Sequence, residues 1–211
     1  MRQRTPAGPG DERLATPRAA GVAGIVFALL LGTAIVLLRT ALPAGAASGD
    51  VQLDADAQRA VSWAIQLVPF AGIAFLWFMG ALREHTGEAE DRFFATAFLG
   101  SGLVFVAAMF AAAAAAGTVL ESDRSSEFGR LYAHTLLMTY SMRMAAVFVF
   151  VTSTMGRRMG VLPRPVTALG FAAGLVLLFV GAAAPWSELV FPAWALVVSV
   201  TVLRAAGGRR T

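Results

Sequence analysis

An arginine deep inside a long apolar run is the first feature of this sequence that can do chemistry. Arg143 sits in the segment from about Leu131 to Met155, about 18 Å of helix rise from either end. A guanidinium at the centre of a bilayer costs roughly 2.5–3.5 kcal/mol on insertion scales. The expectation is therefore that Arg143 faces protein or water. Thr135, Thr139 and Arg143 recur at four-residue spacing and share one helix face, with Tyr140 beside them. No apolar run carries a central Asp or Glu, so the partners available to Arg143 are Gln66, hydroxyls such as Ser101, backbone carbonyls, water or an anionic ligand. Two readings stay open. In one, Arg143 with Thr139, Tyr140 and Gln66 binds an anion or a lipid headgroup inside a helix bundle; in the other, the same arginine ties helices together structurally.

Other reactive groups are weaker candidates. The connector ALREHTGEAEDRFF brings together Arg83, Glu84, His85, Glu88, Glu90, Asp91 and Arg92. Its spacing lacks the paired histidines of a zinc helix and the loop pattern of a calcium site, so a solvated turn that caps the next helix is expected. His134, near the end of an apolar run, is expected to act as a hydrogen-bonding anchor rather than a proton shuttle. Gln66 and Pro69 mark a kink, and no matching interruption in the other half of the chain signals an inverted repeat. Nucleophile elbows, phosphate-binding glycine loops and HExxH are absent. With no cysteine in the chain, thiolate catalysis and cysteine-ligated metals are excluded. No catalytic residue, metal site or cofactor is expected.

These residues have to be positioned by membrane helices. The chain of 211 residues is 57% hydrophobic and 14% charged, against a globular norm of about 45–50% apolar and about 25% charged. The apolar residues fall in blocks near the ~20 residues that cross a bilayer. The fold class expected is an all-α, polytopic transmembrane helix bundle of about six spans, at residues 20–42, 61–82, 93–120, 131–155, 166–184 and 189–203. These form a single transmembrane domain, 20–204. Residues 1–19 are expected to be a disordered cytoplasmic tail, and 205–211 a short cytoplasmic C-terminal tail. Small residues at Gly100–Gly102 and Ala111–Ala116 are expected to allow close helix approach, and Trp63 and Trp77 to mark an aromatic belt. Pro185 and Trp186 mark a tight turn.

Orientation follows from the arginines, since all the basic residues are Arg and none is Lys. With the N-terminus inside, the cytoplasmic side holds Arg2, Arg4, Arg13, Arg18, Arg83, Arg92, Arg157, Arg158, Arg164, Arg204, Arg209 and Arg210. The outer side holds only Arg39, Arg59, Arg124 and Arg130, as the positive-inside bias requires. The outer connectors collect Asp50, Asp54, Asp56, Glu121, Asp123, Glu127 and Glu188 instead. The rival reading takes the first span as a signal peptide cleaved near Ala44-Gly45-Ala46. Against it, the apolar stretch exceeds the usual ~7–15 residues of a signal core. The arginines form no stripe with interleaved aromatics, so the net charge of +4 points to membrane topology rather than nucleic acid.

Two stretches carry a resemblance: PFAGIAFLWFMGALREHTGEAEDRFFATAFLGSG, Pro69 to Gly102, and YSMRMAAVFVFVTSTMGRRMGVLPRPVTALGF, Tyr140 to Phe171. Together they resemble small, uncharacterised multi-spanning integral membrane proteins of bacteria. The resemblance implies a multi-pass protein of the bacterial plasma membrane and brings no activity or site residue with it. The functional expectation is an accessory or structural membrane subunit with a membrane-protein partner or a homo-oligomeric state. The alternatives are a small carrier or receptor for an anionic or amphiphilic ligand near Arg143, and an enzyme acting on lipid through His85 and Glu88.

Overall fold

The computed structural model describes residues 9–41, 55–84, 92–121, 127–180, 184 and 186–207, and among these every regular element is helical. In order they are α1 (Pro9–Ala41), α2 (Ala55–Glu84), α3 (Arg92–Glu121), α4 (Glu127–Thr135), a π-helical segment (Leu136–Ser141), α5 (Met142–Arg158), α6 (Arg164–Leu175), a second π-helical segment (Val176–Val180), a 3-10 turn (Ser187–Leu189) and α7 (Val190–Gly207). Helix is the form that satisfies every backbone N–H and C=O within the segment, which an apolar solvent demands. Five helical stretches are long and apolar enough to cross a membrane: Ala19–Ala41, Ala55–Arg83, Arg92–Thr118, Leu131–Arg158 and Ser187–Ala206. They cover five of the six apolar runs.

In the remaining run, expected over 166–184, the described helix is Arg164–Val180, and residues 181–183 lie outside the described residues. α1 begins at Pro9, so helix reaches back over half of the segment expected to be a disordered tail. Proline is well placed there, because the first turn has no intrahelical use for its missing N–H. The Ala44–Ala46 stretch, the acidic residues of the 42–54 connector, His85 to Asp91, and Pro185 lie outside the described residues.

Helices α1, α2 and α7 pack together, α5 packs on α3 and α6, and α4 with its π-helical continuation lies along α3. Half of the most apolar stretch of Leu131–Arg158 is buried, against 33% for α2, which makes the α4–α5 rod the most enclosed part of the bundle. Its centre is aromatic. Phe75 of α2 contacts Phe27 of α1 at 4.9 Å between ring centroids, Phe105 of α3 at 5.1 Å and Phe148 of α5 at 5.0 Å. Phe191 and Trp194 of α7 stack on each other at 6.1 Å and join the same group through Phe148. Lipid tails are as apolar as these rings, so what holds the helices is close packing rather than transfer from water.

Small residues make that packing possible. A Cβ on Gly24 would lie 2.0 Å from Ser199 Oγ and 2.7 Å from the Phe78 ring, where α1 meets α7 and α2. Of the Gly100–Gly102 pair, Gly102 abuts Met79 and Phe148, whereas Gly100 faces open space. The outside of the bundle is apolar, with Trp63, Phe70, Trp77, Phe93, Leu103 and Phe179 all exposed.

Candidate functional site

Arg143 points out of the bundle. α5 buries Met142, Ala145, Ala146, Phe148 and Val149, and Arg143 lies on the opposite, exposed face. Its Nη1 donates to the Thr139 carbonyl at 3.2 Å. Tyr140 is exposed, Thr139 half-buried, and Gln66 is exposed on α2, a helix that packs chiefly on α1 and α3. The expectation that Arg143 faces the interior is corrected here, and Gln66 is not gathered to it.

The residues before it are π-helical, Leu136–Ser141, so the face drawn through Thr135, Thr139 and Arg143 on an ideal α-helix does not carry across them. On the exterior a long guanidinium side chain can lie along the helix surface and bond a backbone carbonyl, as Arg143 does with Thr139.

The charged pair that the fold does bury is one that neither run advertised. Arg39, in the last turn of α1, donates through Nη2 to Oε1 of Glu188 in the 3-10 turn before α7. The Glu188 side chain is fully buried and that of Arg39 is 15% exposed. Trp186, at φ 70°, is the non-glycine residue in the left-handed region just before this turn. The pairing is half complete, because Arg39 Nε and Glu188 Oε2 are buried without a hydrogen-bond partner. Most other polar side chains in the spans bond their own helix: Ser101 donates to the Ala97 carbonyl at 2.6 Å, Thr154 to Phe150 at 2.8 Å and Ser199 to Ala195 at 2.7 Å.

Arg39 also forms part of the wall of a cavity of about 140 Å³ between α1, α2, α3 and the α4–π segment. Leu31, Ile35, Val61, Ile65, Val68 and Met109 line it; Ala34, Ala112, Ala113 and Ala116 make room by being small, and the exposed His134 is part of its wall. Two of its walls are irregular in backbone. Leu137 and Met138 belong to the π-helical segment, and Ile65 is the residue whose carbonyl loses its usual i+4 donor to Pro69, inside α2. Irregular backbone at membrane depth persists where it is buried in protein or lines a cavity, and short π segments inside helices gather at functional sites. A smaller cavity of about 40 Å³ lies near the opposite end, between Leu82, Phe98, Thr152, Leu162 and Val202. Thr152 Oγ1, without a partner, is its one buried polar group of that kind.

Chemically, the larger cavity offers a chamber lined chiefly by aliphatic side chains, with Arg39 and His134 as the ionisable members of its wall. Among the described residues no group of three His, Cys, Asp or Glu side chains is placed to hold a metal ion. His134 was visible in the sequence as an interfacial histidine; the Arg39–Glu188 pair was not, because each residue by itself looks like a charge at the end of a span. No protein-family model, curated protein or solved structure matches the chain.

Proposed function

We propose that this is a multi-pass membrane protein that binds a lipid-soluble molecule in the cavity between α1, α2, α3 and α4, as a receptor or carrier rather than as an enzyme. The single observation behind this reading is a largely aliphatic chamber of about 140 Å³ whose wall includes Arg39. Apolar cavities of similar size in other proteins, about 150 Å³, take up benzene-sized bodies. The membrane placement rests on five helices apolar enough to cross and on the arginine bias. We place the protein in a bacterial plasma membrane with both termini cytoplasmic and count Arg164–Val180 as the sixth crossing.

The test is photolabelling of the protein in phosphatidylcholine nanodiscs with a diazirine-bearing decane. Label is expected on Ala112, Leu137 and Met138. Ala112→Leu, which fills the chamber, should abolish that labelling while raising thermal stability by about 0.5–2 kcal/mol. Equal labelling of the chamber in this variant would defeat the reading.

A second reading is an accessory subunit, favoured by one observation: Arg143 and Tyr140 lie exposed together on a largely apolar exterior. In that reading a partner membrane protein covers them. A stable monomer from mild detergent, with no protein co-purifying, would count against it.

A further inference from the structure

Resting on the cavity as a ligand site, the geometry points to a ligand whose polar end is a neutral hydrogen-bond acceptor, such as a ketone, ester or quinone-type carbonyl, and not an anion. An unpaired guanidinium in the wall of an aliphatic chamber would favour a carboxylate or phosphate, and that is the ordinary inference from a buried arginine. Here the charge is already matched, since Arg39 Nη2 donates to the fully buried carboxylate of Glu188. A second anion brought to Arg39 would find no uncompensated positive charge, and it would meet the like charge of Glu188 at short range in a medium of low dielectric.

What Arg39 still offers is donors without net charge to neutralise. A guanidinium carries five N–H donors; one serves Glu188 and Nε is sealed away, so the donors left for a ligand are the other Nη N–H groups of a side chain that keeps 15% of its surface exposed and forms part of the cavity wall. A carbonyl oxygen takes such a donor and adds no charge to the site. The rest of the molecule is specified by the wall: branched aliphatic side chains and alanines suit a hydrocarbon ring or a short length of chain, of about the size that a benzene-binding cavity admits.

Two photoreactive probes with the same ten-carbon, diazirine-ended chain separate the possibilities, one with a methyl ketone head and the other with a sulfonate head. Both are applied in phosphatidylcholine nanodiscs at pH 8. Labelling of Ala112, Leu137 and Met138 is normalised to labelling of the exposed Leu103 and Phe179. In the unmodified protein the ketone is expected to label the chamber at least about a hundredfold more than the sulfonate, the fold-change that a like-charge penalty of that kind implies. In Glu188→Gln the guanidinium is released and the preference should reverse. In the double variant Arg39→Gln, Glu188→Gln, which removes both charges, the reversal should disappear. Should Glu188→Gln prove too unstable to purify, Arg39→Met with Glu188→Met still decides: it removes the donor and leaves no charge, so ketone labelling of the chamber must fall from its level in the unmodified protein while sulfonate labelling stays low, and unchanged ketone labelling would overturn the inference. Equal or stronger chamber labelling by the sulfonate in the unmodified protein would overturn the neutral-ligand inference and leave the cavity reading standing. Labelling confined to Leu103 and Phe179 by both probes would remove the cavity reading as well.

Discussion

Arg39 and Glu188 lie 149 positions apart, and only the approach of α1 to the turn before α7 turns two ordinary span-end charges into a buried pair. Breaking such a pair from one side leaves a charge without compensation, whereas replacing both partners with apolar groups of similar volume is often neutral or stabilising. Glu188→Ala is therefore expected to destabilise the protein by about 3–5 kcal/mol, and Arg39→Met with Glu188→Met to stay near the unmodified stability. Thermal unfolding in detergent, followed by circular dichroism, measures both. A double variant as unstable as the single one would show that the pair is a net stabilising contact. By the same logic Ser153→Ala should change stability by less than about 0.5 kcal/mol, since Ser153 Oγ is buried with no hydrogen bond to lose. At this scale the sequence was least informative. Arg143 was conspicuous and lies outside the bundle, while Arg39 passed as a connector charge; long-range pairing has no local signature, and an apolar run does not say where in it the membrane midplane falls.

Helices were the most legible level, because a stretch of about twenty apolar residues has few other ways to satisfy its backbone. Their internal irregularities were not. A π segment accommodates extra residues per turn, so the four-residue spacing that puts Thr135, Thr139 and Arg143 on one ideal face carries no information about what lies around Leu136–Ser141. Contacts between helices were legible in type and not in position: glycine-rich stretches promised close approach, yet only some glycines deliver it. Gly24 is pressed against Ser199 and Phe78, and Gly32, two turns along the same helix, has nothing within 4 Å of its would-be Cβ. Gly24→Ala must push α1 away from α7 and should lower stability by about 1–3 kcal/mol, the usual cost of overpacking. Gly32→Ala should leave it unchanged or raise it by about 0.5–1 kcal/mol through helix propensity. If the two substitutions behave alike, the α1–α7 contact is not as close as the structure has it.

Over the whole molecule, the aromatic cluster around Phe75 joins α1, α2, α3, α5 and α7, so the stability of the bundle should respond to that one ring more than to any lipid-facing residue. Phe75→Ala is expected to cost about 3–5 kcal/mol, against little for the exposed Phe70→Ala. Topology is the remaining global property, and the proposed sixth crossing, through Arg164–Val180, is the step that decides it. The chain contains no cysteine, so single cysteines can be introduced without a background. With six crossings, twelve arginines would lie on one face and four on the other, and the proposed topology puts both ends in the same compartment. With a membrane-impermeant maleimide added to intact cells, Asp50→Cys and Glu127→Cys should react, and Gln3→Cys, Glu88→Cys, Arg164→Cys and Thr211→Cys should react only after the membrane is opened. Reaction of Thr211→Cys from outside, with Gln3→Cys protected, would mean that Arg164–Val180 fails to cross and that the chain spans five times. A cysteine at Gln3 missing from the mature protein would show instead that the first span had been removed.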